Sequence, residues 1–360
     1  MAEGAAGGGV GGGGRTRVPA GPDGAPPTPG TTEADAGGAT AVERRLENTA
    51  LGGPPRYRRA EVAELAGVPL DRAQTLWRSL GFPTAADDDV VFTDADVDAL
   101  RAAASVVAEV GGDSAMESSV ARALGQHLSR LAEGQVDIVL DVAAGAGGSG
   151  VLDEQGLVEL ADRMLPQLER IQSYVWRRHL LACVSRAVAA PAEDAGSRAT
   201  TVGFADIVGY TRLSRGIGER ELAQVLERFE SAATEIIGER GGRIVKMIGD
   251  EVFFVCDHPG DAAEIGLSLV GDEAARREVP PLRVGMASGS VVHRVGDVYG
   301  AVVNLAARLT STARPSTVLL DESLAALLAD DDRFALRTLR PVAVRGYRRM
   351  RPTVLRRAHD

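Results

Sequence analysis

Lysine occurs once in the 360 residues, at Lys246, and the other 39 basic residues are all arginine. Cysteine occurs twice, at Cys183 and Cys256, far apart and without metal-ligand spacing. That argues against a disulfide framework or a cysteine-held metal and leaves two reduced core thiols as the expectation. Aromatic residues make up only 4%, so the core has to be built mostly from Ala, Val and Leu. No run approaches the ~18 consecutive apolar residues of a membrane span. The opening Met-Ala-Glu-Gly-Ala-Ala-Gly-Gly has neither a basic n-region nor an apolar h-region. These absences predict a cytoplasmic protein with no membrane contact.

The chain has room for about two or three domains. Its net charge of −10 is unevenly spread, because Thr200 to Asp360 holds 22 basic and 22 acidic residues. The excess of acid therefore falls on the first 199 residues, which argues against nucleic acid as a partner, since phosphate binding needs clustered positive charge.

Residues 1–55 read as a Gly/Pro-rich tail, disordered for want of anything to bury, with a short helical patch from Val42 to Thr49. Residues 56–150 read as an all-helical domain. Apolar residues recur there at three- and four-residue spacing, and Gly67 separates two helices ending near Leu80. This pair resembles the opening of MerR-type DNA-binding domains, but its second helix carries only Arg72 and Arg78 as positive charge, so an ordinary packing unit is the better reading. A helix from Asp94 to Val110 follows a Thr93 cap, another spans Ala115 to Glu133, and Ala143 to Gly150 is a Gly-rich break. Residues 151–198 read as a long linker helix and hinge. Leu157, Leu160, Met164, Leu168, Ile171, Val175 and Leu180 form its apolar stripe, Pro166 is placed to kink it or to separate two helices, and Pro191 to Ser197 form the hinge.

From residue 199 to 360 strands alternate with amphipathic helices. The pattern places strands at Thr200 to Ile207, Arg243 to Met247, Glu251 to Cys256, Leu282 to Ser288 and Thr317 to Leu320. Helices are expected at Glu219 to Glu239, Pro259 to Ala275 and Ala301 to Thr312. This is an α+β sandwich of ferredoxin-like type. Asp206 ends an apolar strand, and Asp250 sits in a Gly-Asp turn between two paired strands. If the first strand neighbours that hairpin, both carboxylates emerge at one sheet edge, where they repel unless cations lie between them. Lys246 stands just before the same turn. An ammonium is a compact point donor where a guanidinium is a planar fork, so a lysine kept among arginines invites a specific role.

Three ordered segments carry a family resemblance: Phe204-Ala205-Asp206-Ile207-Val208-Gly209-Tyr210-Thr211, Lys246-Met247-Ile248-Gly249-Asp250, and Asp297-Val298-Tyr299-Gly300-Ala301-Val302-Val303-Asn304-Leu305-Ala306-Ala307-Arg308. Together they resemble the signature of class III nucleotidyl cyclases, and all six functional positions are similar to the adenylyl cyclase pattern. The resemblance implies that Asp206 and Asp250 bind two Mg²⁺ or Mn²⁺ ions per active site. It implies that Lys246 and Asp297 read the purine of an ATP substrate, that Asn304 orients the ribose, and that Arg308 binds the α-phosphate in the transition state. It further implies a head-to-tail homodimer with shared sites, preceded by a cytosolic helical regulatory domain of the actinobacterial type. Arg345 and Arg348 are candidates either for triphosphate contacts or for solvated arginines of a basic tail; His127 and His179 are candidate pH-responsive groups in the helical half, although isolated helical histidines are more often packed or solvated. A diguanylate cyclase is the competing enzyme, because Gly249-Asp250-Glu251-Val252-Phe253 looks like a broken GGDEF motif. A catalytically dead nucleotide-binding module and a DNA-binding regulator are the competitors of other classes.

Overall fold

The computed structural model describes residues 41–145, 154–189, 199–271, 279–344 and 347–358. The expected tail over residues 1–40 and the expected hinge at 191–197 lie outside them. The first half is helical: α1 (Ala41–Ala50), α2 (Arg59–Ala66), α3 (Leu70–Leu80), α4 (Asp94–Glu109), α5 (Ser114–Gly145) and α6 (Glu154–Ala189). Gly67 adopts φ 71°, the left-handed conformation that stops α2 and lets its N–H donate to the Ala63 and Glu64 carbonyls. The Asp96 carboxylate accepts from the Thr93 backbone N–H at 2.7 Å and fixes the start of α4. Val62, Ala63, Ala73, Leu76, Val97, Leu100 and Ala121 close one small core.

Arg72 is committed to that core's edge. Its Nε donates to both Glu117 oxygens at 3.2 and 3.0 Å, and its Nη2 donates to Oε1 at 2.9 Å, which pins α3 to α5. Arg78 donates to the Gln74 carbonyl and to Thr75. Both cations of α3 thus bond to groups of the helical half itself.

Four expectations are corrected by the structure. α5 runs on to Gly145 instead of stopping at Glu133, with no proline in its sequence to break it. α6 is one helix through Pro166 and not two separate ones, since the missing N–H removes one backbone bond without ending the helix. Both cysteines are free and Cys256 is buried as expected, but Cys183 is exposed on α6, beside Arg186. Ile171, Val175 and Leu180 of the expected apolar stripe are exposed as well, together with Trp176.

The second half holds β1 (Ala199–Ile207), α7 (Tyr210–Gly216), α8 (Glu219–Glu239), β2 (Arg243–Ile248), β3 (Glu251–Cys256), α9 (Pro259–Gly271) and β4 (Leu282–Ser290). It continues with β5 (Val292–Arg294), β6 (Asp297–Tyr299), α10 (Ala301–Thr312), β7 (Val318–Leu320) and α11 (Glu322–Leu327). It ends with β8 (Phe334–Thr338), β9 (Val342–Val344), β10 (Tyr347–Met350) and β11 (Thr353–Arg357). A seven-stranded sheet runs β2-β3-β1-β4-β7-β11-β8. Its first four strands, with α8 and α9, form the expected ferredoxin-like unit, and β7 joins β4 in parallel after the α10 crossover.

The sheet's two faces are filled differently. Phe229, Ala233, Ile237, Ile265 and Leu269 of α8 and α9 cover one face, over Ala205, Ile207, Val252 and Phe254. On the other face α10 sets Val302, Ala306 and Leu309 over Val202, Phe204, Phe253 and Ala287. Gly285 makes that approach possible. A Cβ there would stand 2.1 Å from the Thr310 backbone nitrogen, so only glycine lets α10 rest directly on β4. α7 and the strands after β7 were not anticipated. β11 slots between β7 and β8, placing Val354 on the α10 side and Leu355 on the other.

Candidate active site

Asp206 lies near the end of β1. Alternation puts Val202, Phe204 and Asp206 on the α10 face, and the register sets Asp206 opposite Glu251 on β3 and Arg283 on β4. Arg283 grips it with two donors to Oδ2, Nε at 2.7 Å and Nη2 in closer contact, while its Nη1 reaches the Ser311 carbonyl at 3.2 Å. Asp206 is 8% exposed. Asp250 occupies the β2–β3 turn, which Gly249 makes possible at φ 60°. The Ile207 N–H donates to the Asp250 carbonyl at 3.0 Å, so the turn is tied to the end of β1.

Burial and the adjoining Asp206 carboxylate push the Asp250 carboxyl above its ordinary range. Glu251 is raised to about 7, first by burial and then by Asp206 and Asp250. Three carboxyls and one guanidinium leave surplus negative charge, and oxygen donors of this kind suit Mg²⁺ or Mn²⁺. Among the described residues no three or more His, Cys, Asp or Glu form a metal-holding group. The fit rests on Asp206 and Asp250, two neighbouring carboxylates at one sheet edge whose oxygens are the donors such hard ions take. The residues present therefore fit the implied metals.

Lys246 and Asp297 meet from strands 51 residues apart, Nζ to Oδ2 at 2.7 Å, and both are half-buried. Burial alone would raise the Asp297 carboxyl. Hydrogen bonds from Lys246, from the Val298 N–H at 2.8 Å and from Tyr299 outweigh it and hold the group below the usual carboxylate range. Val298 is buried beneath α10 and anchors β6. Asn304 and Arg308 follow one another along one flank of α10, the first exposed and the second half-buried, one turn apart.

All six sequence-derived positions thus fall on the sheet edge, the α10 face or α10 itself. The structure brings Asp206 to Asp250 and Lys246 to Asp297, and it aligns Asn304 with Arg308. Sequence reasoning missed Glu251 and Arg283. Both stand beside Asp206 only through strand register, so pairing β1 with its two neighbours was the signal that could have found them. Arg345, and the side chain of Arg348, lie outside the described residues.

The catalytic-domain family of adenylate and guanylate cyclases matches residues 193–356. A protein named adenylate cyclase from Glutamicibacter nicotianae is 40% identical over 338 residues, covering 89% of this chain and 83% of its own length. One of the same name from Streptomyces coelicolor is 41% identical over 300 residues, covering 83% and 78%. A third, from Streptomyces griseus, is 40% identical over 282 residues, covering 78% and 70%. The chain belongs to the class III nucleotidyl cyclase family, and it is similar to these actinobacterial members across both its helical and its catalytic halves. Among the described residues no helix is long and apolar enough to cross a membrane.

Proposed function

We propose that the chain is an adenylate cyclase, converting ATP into 3′,5′-cyclic AMP and pyrophosphate. The observation that carries this reading is the Lys246–Asp297 pair. Adenine offers an acceptor at N1 and a donor at N6, which an ammonium beside a carboxylate complements. Guanine presents the reverse pattern on that edge and would leave buried polar groups unpaired. The names of the three relatives support the same substrate.

In the reaction the ribose 3′-oxygen forms a bond to the α-phosphorus, the bond from that phosphorus to the leaving pyrophosphate breaks, and the 3′-hydroxyl proton passes to solvent water. Asp206 and Asp250 would hold two Mg²⁺ or Mn²⁺ ions. Such ions supply Lewis-acid stabilisation of phosphate charge and lower the pKa of the attacking hydroxyl. Arg283 restrains the Asp206 carboxylate and keeps one positive charge among three acids. Asn304 orients the ribose, and the Arg308 fork stabilises charge building on the phosphoryl oxygens.

The active form in this reading is a head-to-tail homodimer, in which the acidic pair of one chain faces the purine and phosphate residues of the other. The α10 side of the sheet supports it, since Ile248, Val292 and Tyr299 are exposed apolar side chains around the site. Residues 56–150 act as a regulatory domain and residues 151–198 as the link to the catalytic domain. Deletion tests that division: a fragment from Ser197 onward with the full-length chain's activity and effector response would overturn it.

The direct test of the activity is incubation with ATP and Mn²⁺, with identification of the product. Cyclic AMP from the wild type and none from Asp206→Ala is the expected outcome. No cyclic AMP from confirmed dimers, at any metal or pH, would overturn the reading.

A further inference from the structure

Lys246 owes its direction to features outside the substrate contacts. β2 and β3 pair Ile244 with Phe254 and then Lys246 with Phe253, so Val245 is an extra residue, a β-bulge. Ile244 and Met247 pack against the core under α8 and α9, whereas Val245 packs against the core under α10. Strict alternation would send Lys246 to the side of Ile244. The bulge turns it to the side of Val245, where Asp297 stands.

There the ammonium lies 5.9 Å from the centroid of the Phe253 ring, within cation–π range. Phe253 is 1% exposed and stacks on Phe204 with centroids 4.5 Å apart and planes 8° from parallel. A ring clamped in that way is a fixed seat for a flexible side chain, and the Asp297 oxygen at 2.7 Å sets the remaining direction.

We infer that Phe253 and the Val245 bulge are positioning elements for base recognition: they hold the Lys246 ammonium against Asp297 so that the purine meets a preassembled donor–acceptor pair. The inference rests on the reading of Lys246 and Asp297 as the purine reader. Phe253 touches no substrate in it and acts only through the lysine. Without the ring the lysine keeps its charge but loses its seat, so adenine binding weakens while the metal site and the bond-making step are left alone.

The test compares Phe253→Leu, Phe253→Met and Phe253→Tyr with wild type and with Lys246→Glu. The readout is the KM for ATP divided by the inhibition constant for GTP. Neither constant depends on the fraction of active enzyme in a preparation, so partial misfolding of a variant does not move their ratio. For the two ring-less variants the ratio should rise about 5- to 10-fold, from a larger KM with kcat nearly unchanged, and Phe253→Tyr should restore it. A ratio at the wild-type value in Phe253→Leu and Phe253→Met, where Lys246→Glu shifts it strongly, would overturn the positioning role alone. A Lys246→Glu ratio equal to wild type would overturn the base reading itself.

Discussion

The two faces of the catalytic sheet share the same strands and end differently. Under α8 and α9, apolar residues from both helices meet Ala205, Ile207, Val252 and Phe254 in one continuous core, and no candidate site residue belongs to it. On the other face α10 covers the middle only. Beyond its edge stand Asp206 with Glu251 and Arg283, Lys246 with Asp297, and exposed Ile248, Val292 and Tyr299. A face that is sealed gives stability; a face left half-covered, with raised carboxyls and apolar side chains in the gap, is built for something to be added. In the proposed enzyme the additions are a nucleotide, two metal ions and a second copy of the chain.

Changes on the two faces should therefore fail in different ways. Asp206→Ala should have the largest effect, lowering cyclic AMP production at least ~10³-fold through loss of metal and phosphate stabilisation, while thermal unfolding shifts little because the lost Arg283 pair is offset by relief of the repulsion on Asp250 and Glu251. Activity assays beside a melting curve separate the two quantities.

Gly285→Ala tests the seam where the half-cover is attached. The added Cβ meets the α10 backbone, which cannot move aside as a flexible side chain would. A loss of about 3 kcal/mol in denaturant unfolding is expected, with activity falling alongside. An unchanged midpoint would mean that α10 is not held against β4 as described.

Away from the sheet the expected effects shrink. Arg72→Ala leaves Glu117, 8% exposed, without its partner between α3 and α5. The arginine itself is about a third exposed, so solvent screening reduces the cost to about 1–2 kcal/mol. Calorimetry should register that loss in the helical half, while the metal dependence of any cyclase activity stays as in wild type.

What the sequence disclosed follows the range of the forces involved. α8 and α10 match their expected limits because an amphipathic helix announces itself within a few turns, and the hairpin around Gly249-Asp250 because glycine and an acid mark a turn locally. The six candidate positions could be named because each sits in one of three short segments. Glu251, Arg283 and the bulge at Val245 were not, since each acquires its meaning from register with a distant strand. β11 was hidden for the same reason: its arginine-rich surroundings look like a tail until β7 and β8 flank it. Cys183 shows the limit of composition, which favours burial for a cysteine but does not know which side of α6 faces the core.

The claim that the open face is completed by a second copy has a direct measurement. Asp206→Ala and Arg308→Ala chains, each inactive alone, are co-expressed and the mixed dimers assayed for cyclic AMP. A shared site predicts recovery to about a quarter of wild-type activity, since half the dimers are mixed and each of those holds one intact site. Activity no greater than the sum of the two separate variants would contradict it and return both residues to a site within one chain.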